Sequence, residues 1–100
     1  MNYIVLDLEA TCWQYRSEHQ QNEIIEIGAL KVNATGQTVD EFAEFVQPKL
    51  DPTLSNFCKE LTSISQSQVD NADTFEVVLG RFQEWINLRE PFVLCSCFLS

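Results

Sequence analysis

The sequence predicts an α/β fold, a mixed sheet whose strands arrive in the order strand, strand, strand, helix, strand. Three observations carry this. The first is an apolar run of β-formers at Tyr3-Ile4-Val5-Leu6, continuing through Asp7, Leu8 and Glu9. The second is a pair of strand-like segments on either side of Asn33-Ala34-Thr35-Gly36, four residues with turn chemistry. The third is a set of apolar positions at Phe75, Val78, Leu79, Phe82, Trp85 and Ile86, which share one helical face. With 100 residues the chain fits one domain.

The first strand organises the rest. Side chains on a strand alternate between faces, so Ile4, Leu6 and Leu8 share one face and Asp7 and Glu9 the other. The two acidic residues then lie about 6.6–6.8 Å apart along the strand. Side-by-side carboxylates repel and need a positive partner, unless both simply face water at the strand end. A pair of hard divalent cations, Mg2+ or Mn2+, suits such oxygen donors.

Gln14 to Asn22 is polar and aperiodic, an exposed loop. Residues 23–32 form a second strand, apolar on both faces except for Glu26. A carboxylate inside such a strand needs a partner. It either stands behind a metal site or satisfies local backbone donors. Thr38 to Val46 reads as the third strand, in a hairpin with the second. Pro48 and Pro52 mark the exit from the sheet. Leu54, Phe57, Cys58 and Leu61 fall at helical spacing and give one short helix, and the stretch after it, with Ile64, reads as a loop that can plug the core. Asp73 or Thr74 caps the next helix, with Glu76 three residues after Asp73. Its aromatic stripe lies across the sheet as core. Pro91 ends this region and Phe92-Val93-Leu94-Cys95 begins the fourth strand.

The phrase Leu6-Asp7-Leu8-Glu9-Ala10-Thr11-Cys12-Trp13, followed by Asn22-Glu23-Ile24-Ile25-Glu26-Ile27-Gly28-Ala29, resembles the first motif and second strand of the DEDD-type 3'–5' exonucleases. The Ala-Thr-Cys-Trp ending is similar to the DEDDh branch of histone-mRNA 3'-end exonucleases and KapD-like sporulation inhibitors. The resemblance implies the front half of a ribonuclease-H-like fold. Three strands are antiparallel, and a crossover helix leads to a fourth strand parallel to the first. It implies a phosphodiester hydrolase with two Mg2+ or Mn2+ ions, acting on RNA or single-stranded DNA 3' ends. It assigns Asp7 and Glu9 as metal-holding catalytic residues. It places the backbone of Ala10 and Thr11 at the terminal nucleotide. It also places there Thr62 and Ile64 of a segment that is Leu-Thr-Gly-Ile in the family and has Ser63 in this chain.

The resemblance extends to Ser96. Family members continue with Cys-Ser-Trp-Gly, an aromatic residue and the third catalytic Asp, whereas this chain reads Cys95-Ser96-Cys97-Phe98-Leu99-Ser100. The third carboxylate, the later general-base His and the fourth Asp have no counterpart in residues 1–100. The expectation is therefore an incomplete exonuclease domain, 1–100, with little activity alone. The alternative is a non-catalytic fragment that binds protein or RNA.

The formal charge of −9 argues against broad electrostatic adhesion to nucleic acid, which uses Lys and Arg. Cys12, Cys58, Cys95 and Cys97 contain no C-x-x-C pair, and His19 is the single histidine, so a zinc centre lacks its ligand spacing and the cysteines read as partly buried thiols. No apolar run approaches a membrane span and no basic-then-apolar leader is visible, which gives a cytoplasmic expectation. A Gly-rich phosphate loop, the mark of other nucleotide-binding α/β modules, is absent from the sequence.

Overall fold

In the computed structural model, which describes residues 1–15 and 17–96, the first strand is central. Strand β1 (Asn2–Ala10) pairs antiparallel with β2 (Ile24–Val32), which pairs antiparallel with β3 (Thr38–Phe45). On its other side β1 pairs in parallel with β4 (Phe92–Ser96), giving the order β3-β2-β1-β4. The parallel partner is reached through three helices, α1 (Asn56–Thr62), α2 (Gln66–Asp70) and α3 (Phe75–Ile86). This is the mixed α/β sheet of a ribonuclease-H-like fold.

Helix α3 lies on one sheet face. Val78, Phe82 and Ile86 pack there with Ile4, Ile27, Ala29 and Val46. Phe82, Phe42 and Trp85 form an aromatic trio, with centroids 5.3–5.9 Å apart. Lys31, on the same face of β2, donates to the Trp85 carbonyl at 2.7 Å and sits 4.7 Å over the Trp85 ring. It supplies a cation at the carboxyl end of α3, whose last turn has no basic residue of its own. Arg81 extends a fork to Glu44 of β3 at 2.6 Å and to Asp73 at 2.7 Å.

A bulge organises the other face. The β1–β2 register shifts between Glu9 and Ala10, which pair with Glu26 and Ile24. Ile25 is the extra residue, so the alternation resets there. Ile24 and Ile27 both pack toward α3, while Ile25 joins a second cluster with Leu54, Cys58, Ile64 and Val69. This cluster seats α1 and α2 beside the end of β1.

Three expectations change. The loop expected after α1 contains α2, whose Ser65 and Gln68 form a reciprocal capping box. Five residues are too few to show a helical period, so the capping pair was its only readable signal. Phe75 is exposed rather than core: it is the first residue of α3 and overhangs a cleft of ≈ 340 Å³ that it lines with Ile24 and Val46. Helix α3 starts after Thr74, whose side chain makes no capping bond, and Asp73 is drawn to Arg81 instead. Among the described residues, no helix is long and apolar enough to cross a membrane.

Candidate active site

Asp7 and Glu9 leave β1 on the face opposite Ile4. Asp7 lies directly across from Gly28, and Gly28 from Ala43. With two small residues beside it, the exposed Asp7 borders an open trough of ≈ 420 Å³ floored by Val5, Gly28 and Ala43. A Cβ built on Gly28 would come 3.4 Å from the Asp7 carbonyl oxygen, so the glycine lets β1 and β2 approach closely here.

Glu26 is the cross-strand partner of Glu9. Its carboxyl is pushed above the usual glutamate value, first by burial and then by repulsion from Glu9 and Asp7. Three acidic side chains therefore crowd one face. Such hard oxygen donors fit a divalent ion. Among the described residues, however, no group of three or more His, Cys, Asp or Glu side chains converges tightly enough to enclose one. The donor set fits an ion held from one side and otherwise hydrated.

The segment after β1 is held by its neighbours. Thr11 is buried at 2 % exposure. Its N–H donates to the Glu23 carbonyl at 2.8 Å, and its Oγ1 accepts the Glu23 N–H at 2.9 Å. Its carbonyl accepts from Asn22 Nδ2. The Glu23 carboxylate accepts three backbone N–H bonds, from Lys49, Leu50 and Asp51, at 2.8–3.0 Å. Glu23 thus pins both the site segment and the loop leaving β3. The role of Glu23 was not apparent in the sequence, where it reads as one more residue at a strand start.

Helix α1 closes the other side. Ser55 caps it by accepting the Cys58 N–H at 3.0 Å and donates its hydroxyl to the Cys12 carbonyl at 2.6 Å. Cys58 Sγ lies 3.8 Å from the Ala10 carbonyl. The Thr62 hydroxyl donates to the Cys58 carbonyl and accepts the Ile64 N–H. Ile64 plugs the second cluster at 3 % exposure. Cys58 thus stands between Ala10, whose carbonyl its thiol approaches, and Thr62, whose hydroxyl donates to its carbonyl. The side chains of Thr62 and Ile64 are turned to internal contacts. His19 stands in the exposed loop, with Glu18 as its ionic neighbour at 4.0 Å.

Comparison with known proteins agrees with this geometry. The RNase_T exonuclease family model matches residues 4–99. Human ERI1 exoribonuclease 2 is 46 % identical over 85 residues, which is 84 % of this chain and 12 % of that protein. Human 3'-5' exoribonuclease 1 is 40 % identical over 87 residues, 86 % of this chain and 25 % of that protein. The chain thus spans a minor part of these relatives. The crystal structure of the nuclease domain of 3'hExo, a DEDDh family member bound to rAMP, superposes with a TM-score of 0.88 at 36 % identity. That match covers 95 % of this chain and 50 % of the nuclease domain. Motif, sheet order and sequence identity agree: the chain belongs to the RNase_T exonuclease family, in its DEDDh branch of histone-mRNA-type 3'–5' exonucleases.

Proposed function

We propose that this chain carries the front of a metal-dependent 3'–5' exonuclease site that takes RNA or single-stranded DNA 3' ends. The observation that supports it best is the placement of Asp7 and Glu9 on one face at the end of the central strand. In this reading Asp7 and Glu9 hold Mg2+ or Mn2+, and Glu26 adds negative potential behind them. When bound, such an ion polarises a phosphate and lowers the pKa of a coordinated water. Ala10 and Thr11 form the floor on which a terminal nucleotide rests. Glu23 and Asn22 hold that floor, and Thr62 and Ile64 set the turn beside it. RNA is favoured because a solved relative, 35 % identical, is a 3'-exonuclease that recognises the 3' end of histone mRNA stem-loop.

The 100-residue chain alone has little or no exonuclease activity in this reading. Two facing carboxylates hold a hydrated ion weakly, and Mg2+ gives up water reluctantly. No described residue stands where a general base is needed, and that loss alone costs roughly 10²–10⁴ in rate. The test is a 3'-hydroxyl single-stranded RNA, labelled at its 5' end, mixed with the chain and Mn2+. Metal-dependent association that Asp7→Ala abolishes, without shortening of the RNA, is the expected result. Absence of metal-dependent association overturns the site assignment. Shortening from the 3' end that Asp7→Ala removes overturns the inactivity.

A further inference from the structure

The two edges of the sheet are finished differently. Strand β3 forms one edge and β4 the other. Along β3 stand Asp40, Glu41 and Glu44, and the Asp40 carboxylate accepts the N–H of Glu41 at 2.8 Å. Charged side chains on an edge strand oppose its pairing with another chain. The β4 edge has no such guard. Its five residues, Phe92-Val93-Leu94-Cys95-Ser96, are uncharged and include no proline. Val93, Leu94 and Cys95 are exposed, Leu94 at 54 %. Among the described residues no strand lies beyond β4.

We propose that β4 is a self-association edge, at which a second copy of this chain pairs antiparallel about a two-fold axis at Leu94 and continues the sheet. The ladder fixes this register. The Asn2 N–H donates to the Pro91 carbonyl at 3.5 Å, so parallel pairing turns the backbone groups of Val93 and Cys95 toward β1. Those of Phe92, Leu94 and Ser96 point away from it. With the two-fold at Leu94, that residue meets its own copy, and Phe92 meets Ser96 of the second copy. Every outward N–H and C=O of the strand then has a partner. Val93 faces Cys95 of the second copy as a non-hydrogen-bonded pair, with Cα atoms about 4.5 Å apart.

Charge selects both the occupant and the edge. Two copies of a chain with formal charge −9 repel wherever their carboxylates meet. At β4 every opposed side chain is uncharged. Pairing through β3 would instead bring Asp40, Glu41 and Glu44 of both copies together, and like charges on facing strands destabilise a sheet. The same guard stops growth. Once the β4 edges are joined, both outer edges are β3, so the assembly closes at two. A five-residue strand makes a small interface, and the dimer is therefore weak and concentration-dependent. Nothing in this pairing requires a metal or a nucleic acid.

The experiment is sedimentation equilibrium of the full chain from micromolar to millimolar concentration, under reducing conditions. Expected is a mass rising from 11.5 kDa toward twice that value and no further. Leu94→Lys places two ammonium groups on the axis and should abolish the rise, with an unchanged circular dichroism spectrum because Leu94 lies outside the core. Val39→Lys, at an exposed position of β3, should leave the dimer intact. Register has its own test. Val93→Cys, with Cys97→Ser, should give a covalent dimer in oxidised glutathione, the new thiol linked to Cys95 of the second copy, since a Cα separation of about 4.5 Å falls within disulfide range. A monomer at every concentration overturns the proposal. So does a dimer that survives Leu94→Lys, or one that Val39→Lys dissolves.

Discussion

Ser63 closes α1 in the left-handed conformation, at φ 62° and ψ 20°. A residue with a Cβ pays about 1–2 kcal/mol there, and glycine pays it back in part as lost chain entropy. This accounts for the glycine that the family resemblance expects at this position. Ser63→Gly should therefore stabilise the chain by about 0.5–1 kcal/mol, read from the midpoint of urea unfolding; a loss would show that the serine hydroxyl has a role of its own. Glu26 makes the opposite kind of case. Its carboxyl titrates above the usual value because burial, Glu9 and Asp7 disfavour its charge. The folded state then binds its proton more tightly than the unfolded state does. Stability falls as pH rises from the unfolded glutamate value through the raised folded one, and the penalty stays constant above it. Glu26→Gln should thus gain stability at pH 7, by less than about 1 kcal/mol given the screening at a partly exposed site. The gain should vanish below about pH 4, where both states are protonated. Denaturant titrations at the two pH values check the sign. The conflict around Glu26 is visible as a carboxylate in an apolar strand, but its direct opposition to Glu9 follows from the register of β1 against β2, which pairs residues distant in the chain and is marked by no local pattern.

Helix α3 is the element that the sequence makes plainest, because five of its six apolar positions recur on one face and do pack toward the sheet. The sixth, Phe75, fails because periodicity specifies a face and not how far the neighbouring layer extends. The stripe runs past the end of the sheet, and its first ring is left at the lip of a cleft. Phe82 is at the opposite extreme, buried between Phe42 and Trp85. Phe82→Ala should cost about 3–5 kcal/mol in denaturant titration. A loss within roughly ±0.5 kcal/mol, the surface range, would mark α3 as peripheral. Lys31 gives a finer test of how α3 is held. Its ammonium serves both the Trp85 carbonyl and the Trp85 ring. Lys31→Met keeps the apolar stem and removes the charge, so a cost of about 1–2 kcal/mol isolates the helix-end and cation–π contributions. Helix α2 was illegible for a different reason. Its stability comes from the Ser65–Gln68 cap and the single anchor Val69, and one apolar anchor has no period.

At the scale of the whole molecule the dominant quantity is the formal charge of −9. Self-repulsion on that scale destabilises the compact state, and the effect concentrates where Asp7, Glu9 and Glu26 share one face. Two kinds of added ion act on this differently. Sodium chloride screens all charges alike, with a Debye length near 10 Å at 0.1 M. It should raise Tm gradually, in the wild type and in Asp7→Asn alike. In the proposed reading Mn2+ binds the folded state in preference to the unfolded one and stabilises it by mass action. With a site held from one side, an affinity in the millimolar range is expected. At ten times such a Kd the gain is about 1.4 kcal/mol, or roughly 6–11 °C in Tm for a chain of this size. The measurement compares thermal unfolding in Mn2+ with unfolding in sodium chloride at matched ionic strength. An Mn2+ excess that disappears in Asp7→Asn and Glu9→Gln, and is undiminished in Asp40→Asn on β3, places the ion at the β1 carboxylates. Equal shifts in Mn2+ and sodium chloride would mean that the two carboxylates of β1 merely face water, the plainer of the two readings their spacing allowed.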